Sequence, residues 1–329
     1  MKLAIASLAI LFGVGFAHAD PVTIRGAWVA PLANWFSVWL EKKDLATHYG
    51  KSYRFEATHY AGTPPMITAI ANNELEIGDL AYSTLPIAIQ NAGMDDIRVI
   101  SDEFQDGVPG YADDAFQVLA DGPIKKVEDL KGKVVATNAA GSGVDVAIRA
   151  KLRKHGLEAN RDYTIIEAPF PAMRAMLAEK KVDLIPTVLP FSLDPELKKI
   201  ARPLFTVHDA IGVSQFVVWT ARKPFIDQHR AAIVDFLADT LRIERWFLDP
   251  KNHDEVAQIA ARLTKQPADR FGWLYTKQDY YRDPRMLPNL DALQRNVDMT
   301  KELGFIPASF DVKAHSDLSL VEDAAKQLQ

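Results

Sequence analysis

Short apolar runs alternate with stretches of helical spacing through the first two thirds of this chain. That is the pattern of α/β units rather than of a bundle or a sandwich. VTIRGAW (22–28) predicts the first strand, and from Asn34 onward Trp35, Val38, Trp39 and Leu45 recur at helical spacing. YRFEATHY (53–60) alternates as a strand, and Pro65 opens a short helix over 66–71. LEIGDLAY (75–82), PIAIQNAG (86–93) and IRVIS (97–101) continue the alternation.

A second block begins near Phe116. FQVLA predicts a strand, VVAT (134–137) another, and AIRAKLRKHG a helix; YTIIEA, AMRAMLAEKK and VDLIPT then complete two further strand–helix–strand units. VSQFVVWTA (213–221) is a long β-rich run with no charge before Arg222. Beyond it the spacing becomes helical. Residues 226–248 carry Ile233, Phe236, Leu237 and Leu241 on one face and stop at Pro250. HDEVAQIAARLTK and LDALQRNVDMTKELG predict two more helices, the second capped by Gly304. The β runs near 116–120 and 213–221 bracket a block that could fold alone. They predict two Rossmann-like α/β lobes joined by a two-strand hinge: lobe I from 20–115 and 222–329, lobe II from 116–221. A cleft between such lobes is where a ligand binds, and hinge closure around it is the motion to expect.

The amino terminus adds a compartment. Lys2, the apolar run Leu3 to Phe16 and the small-x-small site Ala17-His18-Ala19 predict a cleaved secretory signal peptide over 1–19. The apolar run is shorter than the ~20 residues that a membrane span needs. The chain has no cysteine, which excludes disulfides, thiolate nucleophiles, cysteine-ligated zinc and a lipid anchor on cysteine. A soluble protein of the periplasm is the expectation. Formal net charge is −5, and −6 once Lys2 is removed, which argues against nucleic acid or an anionic membrane as partner. The histidines show no H-x-x-x-H spacing, so neither a metal site nor a cofactor is expected.

Four turns follow predicted strands and carry small or hydroxyl residues: Pro31 to Asn34, Gly62-Thr63-Pro64-Pro65, Ser83-Thr84-Leu85-Pro86 and Gly141-Ser142-Gly143. The first turn of a helix leaves N–H groups free and carries partial positive charge, so it can hold an anion without Lys or Arg. Simple N-capping competes with this use at each turn. Asn34, Thr63, Ser83, Thr84, Ser142 and the Gly143 and Val144 positions are the polar and backbone candidates, with Thr187 at the end of VDLIPT. Trp28, Trp35, Tyr82 and Phe104 are the aromatic ones, whereas Trp39 is assigned to the core. The loop NAAGSGVD (138–145) approaches a dinucleotide fingerprint, with Glu167 ending the next strand. Position 146 is Val146 where that fingerprint needs a third small residue, so the guest expected here is a small anion. The pairs Asp95-Asp96 and Asp113-Asp114 are expected in solvent. Ser142 lacks the G-x-S-x-G spacing of a nucleophile elbow, and no general base is placed beside a nucleophile.

GTPPMITAIANNELEIGDLAYSTLPIAIQNAG (62–93), VEDLKGKVVATNAAGSGVDVAIRAKLRKHGL (127–157), VDLIPTVLPF (182–191) and YYRDPRMLPNLDALQRNVDMTKELGFI (280–306) stand in a telling order. Together they make the chain resemble the periplasmic solute-binding proteins of ABC importers, in the branch handling nitrate, taurine and aliphatic sulfonates. The resemblance covers essentially all of the chain after residue 19. Val188 and Leu189 stand where that family often carries an aromatic and an acidic residue. The resemblance implies the type II periplasmic-binding-protein fold and a monomer that docks transiently on an inner-membrane permease. It also implies a sulfonate or carboxylate ligand, with an aromatic body if the cleft aromatics take part. A subunit presenting its ligand to a sensor, and a secreted enzyme acting in the cleft, are the alternatives. A fold-related pyrimidine-synthesising enzyme depends on a cysteine-rich motif that this chain lacks.

Overall fold

The computed structural model describes residues 20–328, so the expected signal peptide lies outside the described residues. Strand β1 (Val22–Trp28) runs parallel to β2 (Tyr53–His59), with Val22 opposite Tyr53 through to Trp28 opposite His59. On its other side β1 touches β3 (Ile77–Ala81), reached through the helix α1 (Pro64–Ala71). Helix α2 (Thr84–Gln90) then leads into β4 (Ile97–Asp106). The fifth strand of this sheet arrives from much later in the chain.

The second sheet is assembled from β5 (Ala115–Leu119), β6 (Val134–Thr137), β7 (Thr164–Glu167), β8 (Ile185–Thr187) and β9 (Ala201–Thr206). Three strands pair in the order β8-β5-β9, and β6 pairs with β7. A bridge at Val135 and Leu184 joins the two sets, with the Ala136 N–H donating to the Leu184 carbonyl at 2.9 Å. Helices α3 (Gly143–Lys154), α4 (Phe170–Ala178) and α5 (Pro195–Ile200) belong to this unit, and α6 (Val207–Ile211) leads out of it. Strand β9 was not anticipated from ARPLFT. It is an edge strand, the position where Pro203 does least harm to a sheet.

Strand β10 (Ser214–Arg222) corrects the expected lobe boundary. It lies in the first sheet, antiparallel to both β3 and β4, giving the order β2-β1-β3-β10-β4. The chain therefore leaves the first unit between β4 and β5 and returns between β9 and β10. Its uncharged run reflects burial on both faces at the centre of a sheet, which reads in sequence much as a crossing strand would. Helix α7 (Lys223–Leu248) covers this sheet, followed by α8 (His253–Thr264), α9 (Leu290–Glu302) and α10 (Ser319–Lys326). Gly304 follows α9 with φ of 82°, as its capping role requires. No described helix is long and apolar enough to cross a membrane.

The helix expected from Asn34 is instead two 3-10 segments, Trp35–Ser37 and Trp39–Leu45, the second interrupted at Lys42 with φ of −124°. Packing overrides the helical spacing there. The Asn34 side chain turns back to accept the N–H groups of Val29 and Ala30. Phe36 stacks on Trp219 at 4.1 Å, and the Trp39 indole donates to Thr240 on α7 at 3.0 Å. With Phe55 and Phe236 these rings form the aromatic centre of the first unit.

Candidate ligand-binding cleft

The ends of β1, β3 and β4 face the start of α3 across a narrow cavity of about 50 Å³. Six expected residues line it: Asn34, Thr63, Phe104, Ser142, Gly143 and Val144. Trp28 lies outside it, on the wall of a wider cavity of about 690 Å³ at the cleft mouth. The other five are structural. Trp35 is buried, stacked on Tyr275 at 4.9 Å, with its N–H donating to Glu103. Tyr82 and Ser83 are fully buried and bond across the lobes, as described below. Thr84 donates to the Ala81 carbonyl, the hydroxyl of a helix start satisfying its own turn. Thr187 accepts from Gln117 and donates to the Ala115 carbonyl, pinning β8 to β5.

The four turns do converge, but in part on one another. The Tyr82 hydroxyl donates to the Gly143 carbonyl at 2.7 Å, and Ser83 donates to the Gly141 carbonyl at 2.8 Å. The Asn138 amide donates to the Ala61 carbonyl at 3.1 Å. Each bond joins the first unit to the second. Close approach depends on two glycines. A Cβ at Gly62 would lie 2.9 Å from the Asn138 amide nitrogen, and one at Gly143 would lie 3.0 Å from the Phe216 ring. The glycine loop read as an anion cradle is thus a clasp that holds the lobes shut.

Its first backbone donors are also committed, whereas the Gly143 and Val144 N–H groups at the start of α3 face the cavity without an acceptor. The Ala140 N–H donates to Glu167 and the Gly141 N–H to Asp145, while Ser142 caps Asp145 and donates to Asn138. Glu167, set aside in the sequence as a strand end near solvent, is a working part of the loop. Two carboxylates so close to the turn disfavour a bound anion there and leave the Gly143 and Val144 N–H groups as the loop's free donors.

Carboxyl groups dominate the polar lining. Asp79 on β3 and Asp114 before β5 both face the cavity, and no Lys, Arg or His lines it. Neither Asp79 oxygen meets an N–H or hydroxyl donor, and the same holds for Asp114 Oδ2 and Thr63 Oγ1. Asp79 lies against Glu103, which accepts from the Asn34 amide and the Trp35 N–H at 2.8 Å each. Burial first, and the neighbouring Glu103 carboxyl second, hold Asp79 well above the usual carboxylate range. Burial likewise raises Glu103, and the pair retains a shared proton. Asp106 and Asp114 form a second such pair. Burial pushes Asp114 up to about 7 although the Tyr280 hydroxyl donates to it at 2.6 Å. Burial, then Asp114 itself, raises Asp106 further. Asp114, expected in solvent, is therefore a buried cleft residue.

The apolar lining was also largely missed. Phe216 and Tyr280 flank Phe104, Tyr280 stacked on it at 4.4 Å and Phe216 at 5.8 Å. Phe170 and Val188 close the second unit's side. Phe216 sat in a run read as a crossing strand, and Tyr280 in a stretch with no periodic signal. Nothing local in the sequence singled them out. Among the described residues no group of His, Asp and Glu is placed to hold a metal ion.

A model of the NMT1-like family matches residues 18–261. The chain belongs to the NMT1-like family. Its fold is shared with the periplasmic aliphatic sulphonate binding protein SsuA of Escherichia coli, at 18% identity and TM-score 0.68, covering 91% of this chain and 92% of that one. The periplasmic nitrate-binding protein NrtA of Synechocystis PCC 6803 superposes at TM-score 0.70 with 17% identity, covering 94% and 89%. The desulfurization enzyme DSZB shares the fold at TM-score 0.67 and 13% identity, covering 94% and 100%. No curated protein sequence matches the chain. The nitrate, taurine and sulfonate resemblance and the type II periplasmic-binding-protein fold both stand on this footing.

The clasp makes a prediction. In Tyr82→Phe the buried Gly143 carbonyl loses its donor, at about 1–3 kcal/mol, which lowers the ratio of closed to open molecules roughly tenfold. Gly143→Val drives a side chain into Phe216 and Tyr82 and props the lobes apart. Small-angle X-ray scattering should show a larger radius of gyration for both variants. Wild-type scattering from Gly143→Val would refute the wedge.

Proposed function

We propose that this protein captures a small organic solute between its lobes in the periplasm and delivers it, as a monomer, to an ABC permease in the inner membrane. The observation that carries this reading is a cleft of buried, donor-free polar atoms walled by aromatic rings and closed by bonds between the two lobes. Sites of this kind hold a small molecule by enclosing it and reading it with a few polar atoms. The connections on either side of the second sheet act as the hinge, and lobe closure is what the permease recognises. The family and the shared fold of SsuA and NrtA support the reading.

The same cleft supports binding without turnover. Its hydroxyls are Thr63, Ser142 and Tyr280, and none has a histidine beside it to act as base. Ser142 is held by Asn138 and Asp145, and Tyr280 by Asp114 and the Leu189 N–H. A sulfonate or carboxylate head, the guest expected from the sequence, would meet the two carboxyl pairs, and the aromatic walls suit a solute with an apolar body.

Ligand capture is tested by incubating the purified protein with a panel of small organic solutes. Melting temperature is recorded for each, and compounds recovered from the complex are identified by mass spectrometry. A ligand raises the melting temperature by mass action, by about 2.7 kcal/mol of stability at a hundredfold excess over Kd, and is recovered unchanged. Recovery of a converted product would replace capture with catalysis.

A further inference from the structure

We propose that the captured solute is an organic cation, a protonated amine or amidinium held by Asp79 and Asp114, whose apolar body extends into the vestibule at the cleft mouth. This rests on the capture reading and specifies its ligand.

The head site is built from fully buried atoms. Asp79 has no accessible surface, and no N–H or alcohol reaches either of its carboxyl oxygens, whose one partner is the proton shared with Glu103. Asp114, 4% exposed, is held by Tyr280 and paired with Asp106, and Thr63, 7% exposed, has a hydroxyl without a partner. Leaving such groups unpaired in a dry site costs folding energy unless a guest supplies donors. Three kinds of donor could do so, and the surroundings choose among them. An anion brings none, and against the two acid pairs it would meet only the Gly143 and Val144 N–H groups. A neutral hydroxyl brings one. An ammonium or amidinium brings several, together with the charge that the two acid pairs lack. The buried cation Arg282 does not line the cavity: it pairs with Asp279 at 3.1 Å, donates to the Ala33 carbonyl and lies beside the stacked Trp35 and Tyr275 rings, with only its Nε left without an acceptor.

The walls fit the rest of such a molecule. Phe104, Phe216 and Tyr280 present stacked rings beside the carboxyls, and aromatic faces attract a cation directly. Val29 and Phe170 line both the inner cavity and the vestibule of about 690 Å³, so the two adjoin. Trp28, Phe191, Phe271 and Trp273 give that vestibule an apolar wall. A compact charged head with an apolar or aromatic tail matches the sequence of narrow acidic and wide apolar space.

Binding is coupled to a proton. When the cation enters, the Asp79–Glu103 pair gives its shared proton to solvent and both carboxylates become charged against the ligand. The groups facing this pair are Asn34 and Arg282; those facing Asp114 are Asp106, Asp113 and Tyr280.

The test is calorimetric titration of the whole protein with benzamidinium and phenethylammonium, beside benzoate, benzenesulfonate and benzyl alcohol as matched anions and neutral. The cations are expected to bind, and their apparent enthalpy to change between buffers of different ionisation enthalpy as a proton is released. Asp79→Asn and Asp114→Asn, each checked by circular dichroism for wild-type folding, should weaken the cations tenfold or more. Cations that bind equally well to both variants overturn the proposal, because they then sit elsewhere. Binding of only the anions or the neutral compound overturns the cationic head and leaves capture intact. If no compound of any charge binds, the cationic assignment fails. If no solute of the wider panel then raises the melting temperature either, the capture reading fails separately.

Discussion

Asp239→Ala is expected to lower stability by about 3–5 kcal/mol, the range for breaking a buried charged pair. Asp239 lies on α7 with no exposed surface. Its carboxylate accepts the Thr47 N–H at 3.0 Å, the His48 N–H at 2.9 Å, the Tyr53 hydroxyl at 2.9 Å and Arg242 at 2.6 Å. These donors come from α7 itself, from the loop before β2 and from the first residue of β2, so one side chain ties the long helix to the first sheet. Alanine removes every acceptor at once and leaves two backbone donors and a buried phenol unpaired. Asparagine keeps one acceptor oxygen, and Asp239→Asn should lose roughly half as much. Chemical denaturation measures both. A loss below about 1 kcal/mol for the alanine variant would show that water or a local shift replaces the carboxylate.

Melting temperature should fall as pH rises from 5 to 8. Seven carboxyls with at most 5% exposure (Asp79, Asp102, Glu103, Asp106, Asp114, Asp145 and Glu244) are held above their ordinary values, in each case chiefly by burial. Asp102 and Asp114 reach about 7. Between pH 4 and 7 the folded chain therefore binds protons that the unfolded chain has lost. Stability is fully present below the unfolded values near 4 and is lost as pH climbs through the folded ones. Each such proton costs about 1.4 kcal/mol per pH unit. His315 works the other way, since burial lowers it, but it is one half-buried group against seven. A thermal-shift series across this window checks the sign. A melting temperature that climbs between pH 5 and 8 would mean that the acid pairs are ionised in the folded protein. Asp102→Asn should flatten part of the slope.

The alternation of apolar runs was enough to place most strands and the long helices, because each run has the period of the surface it buries. It failed where tertiary contact overrides local pattern. Trp35 to Leu45 has helical spacing, yet the packing of Phe36 and Trp39 on Trp219 and Thr240 settles it into 3-10 turns. β10 carried the right pattern, but a strand at the centre of a sheet and one crossing between lobes look alike from sequence. The cleft was half legible. Turn chemistry located Asn34, Thr63 and the Ser142 loop, since small and hydroxyl residues after a strand are a local signal. Asp79, Asp114, Phe216 and Tyr280 were not legible, because their importance lies in meeting across long stretches of chain. A buried Asp in IGDLA reads as any other strand residue, and a donor-free carboxyl can be recognised only when its surroundings are known.

The clasp has a kinetic consequence. Its three bonds run from protein to protein, with no part left for a guest to complete, so under the proposed capture function they favour closure of the empty protein as well. Solute can enter only during the fraction of time the lobes stand apart. The apparent Kd is therefore the open-form value divided by the fraction of molecules that are open. At high solute concentration the observed association rate levels off at the frequency of spontaneous opening. Loosening the clasp should then speed uptake of solute from dilute solution, even as it shortens the life of the loaded complex.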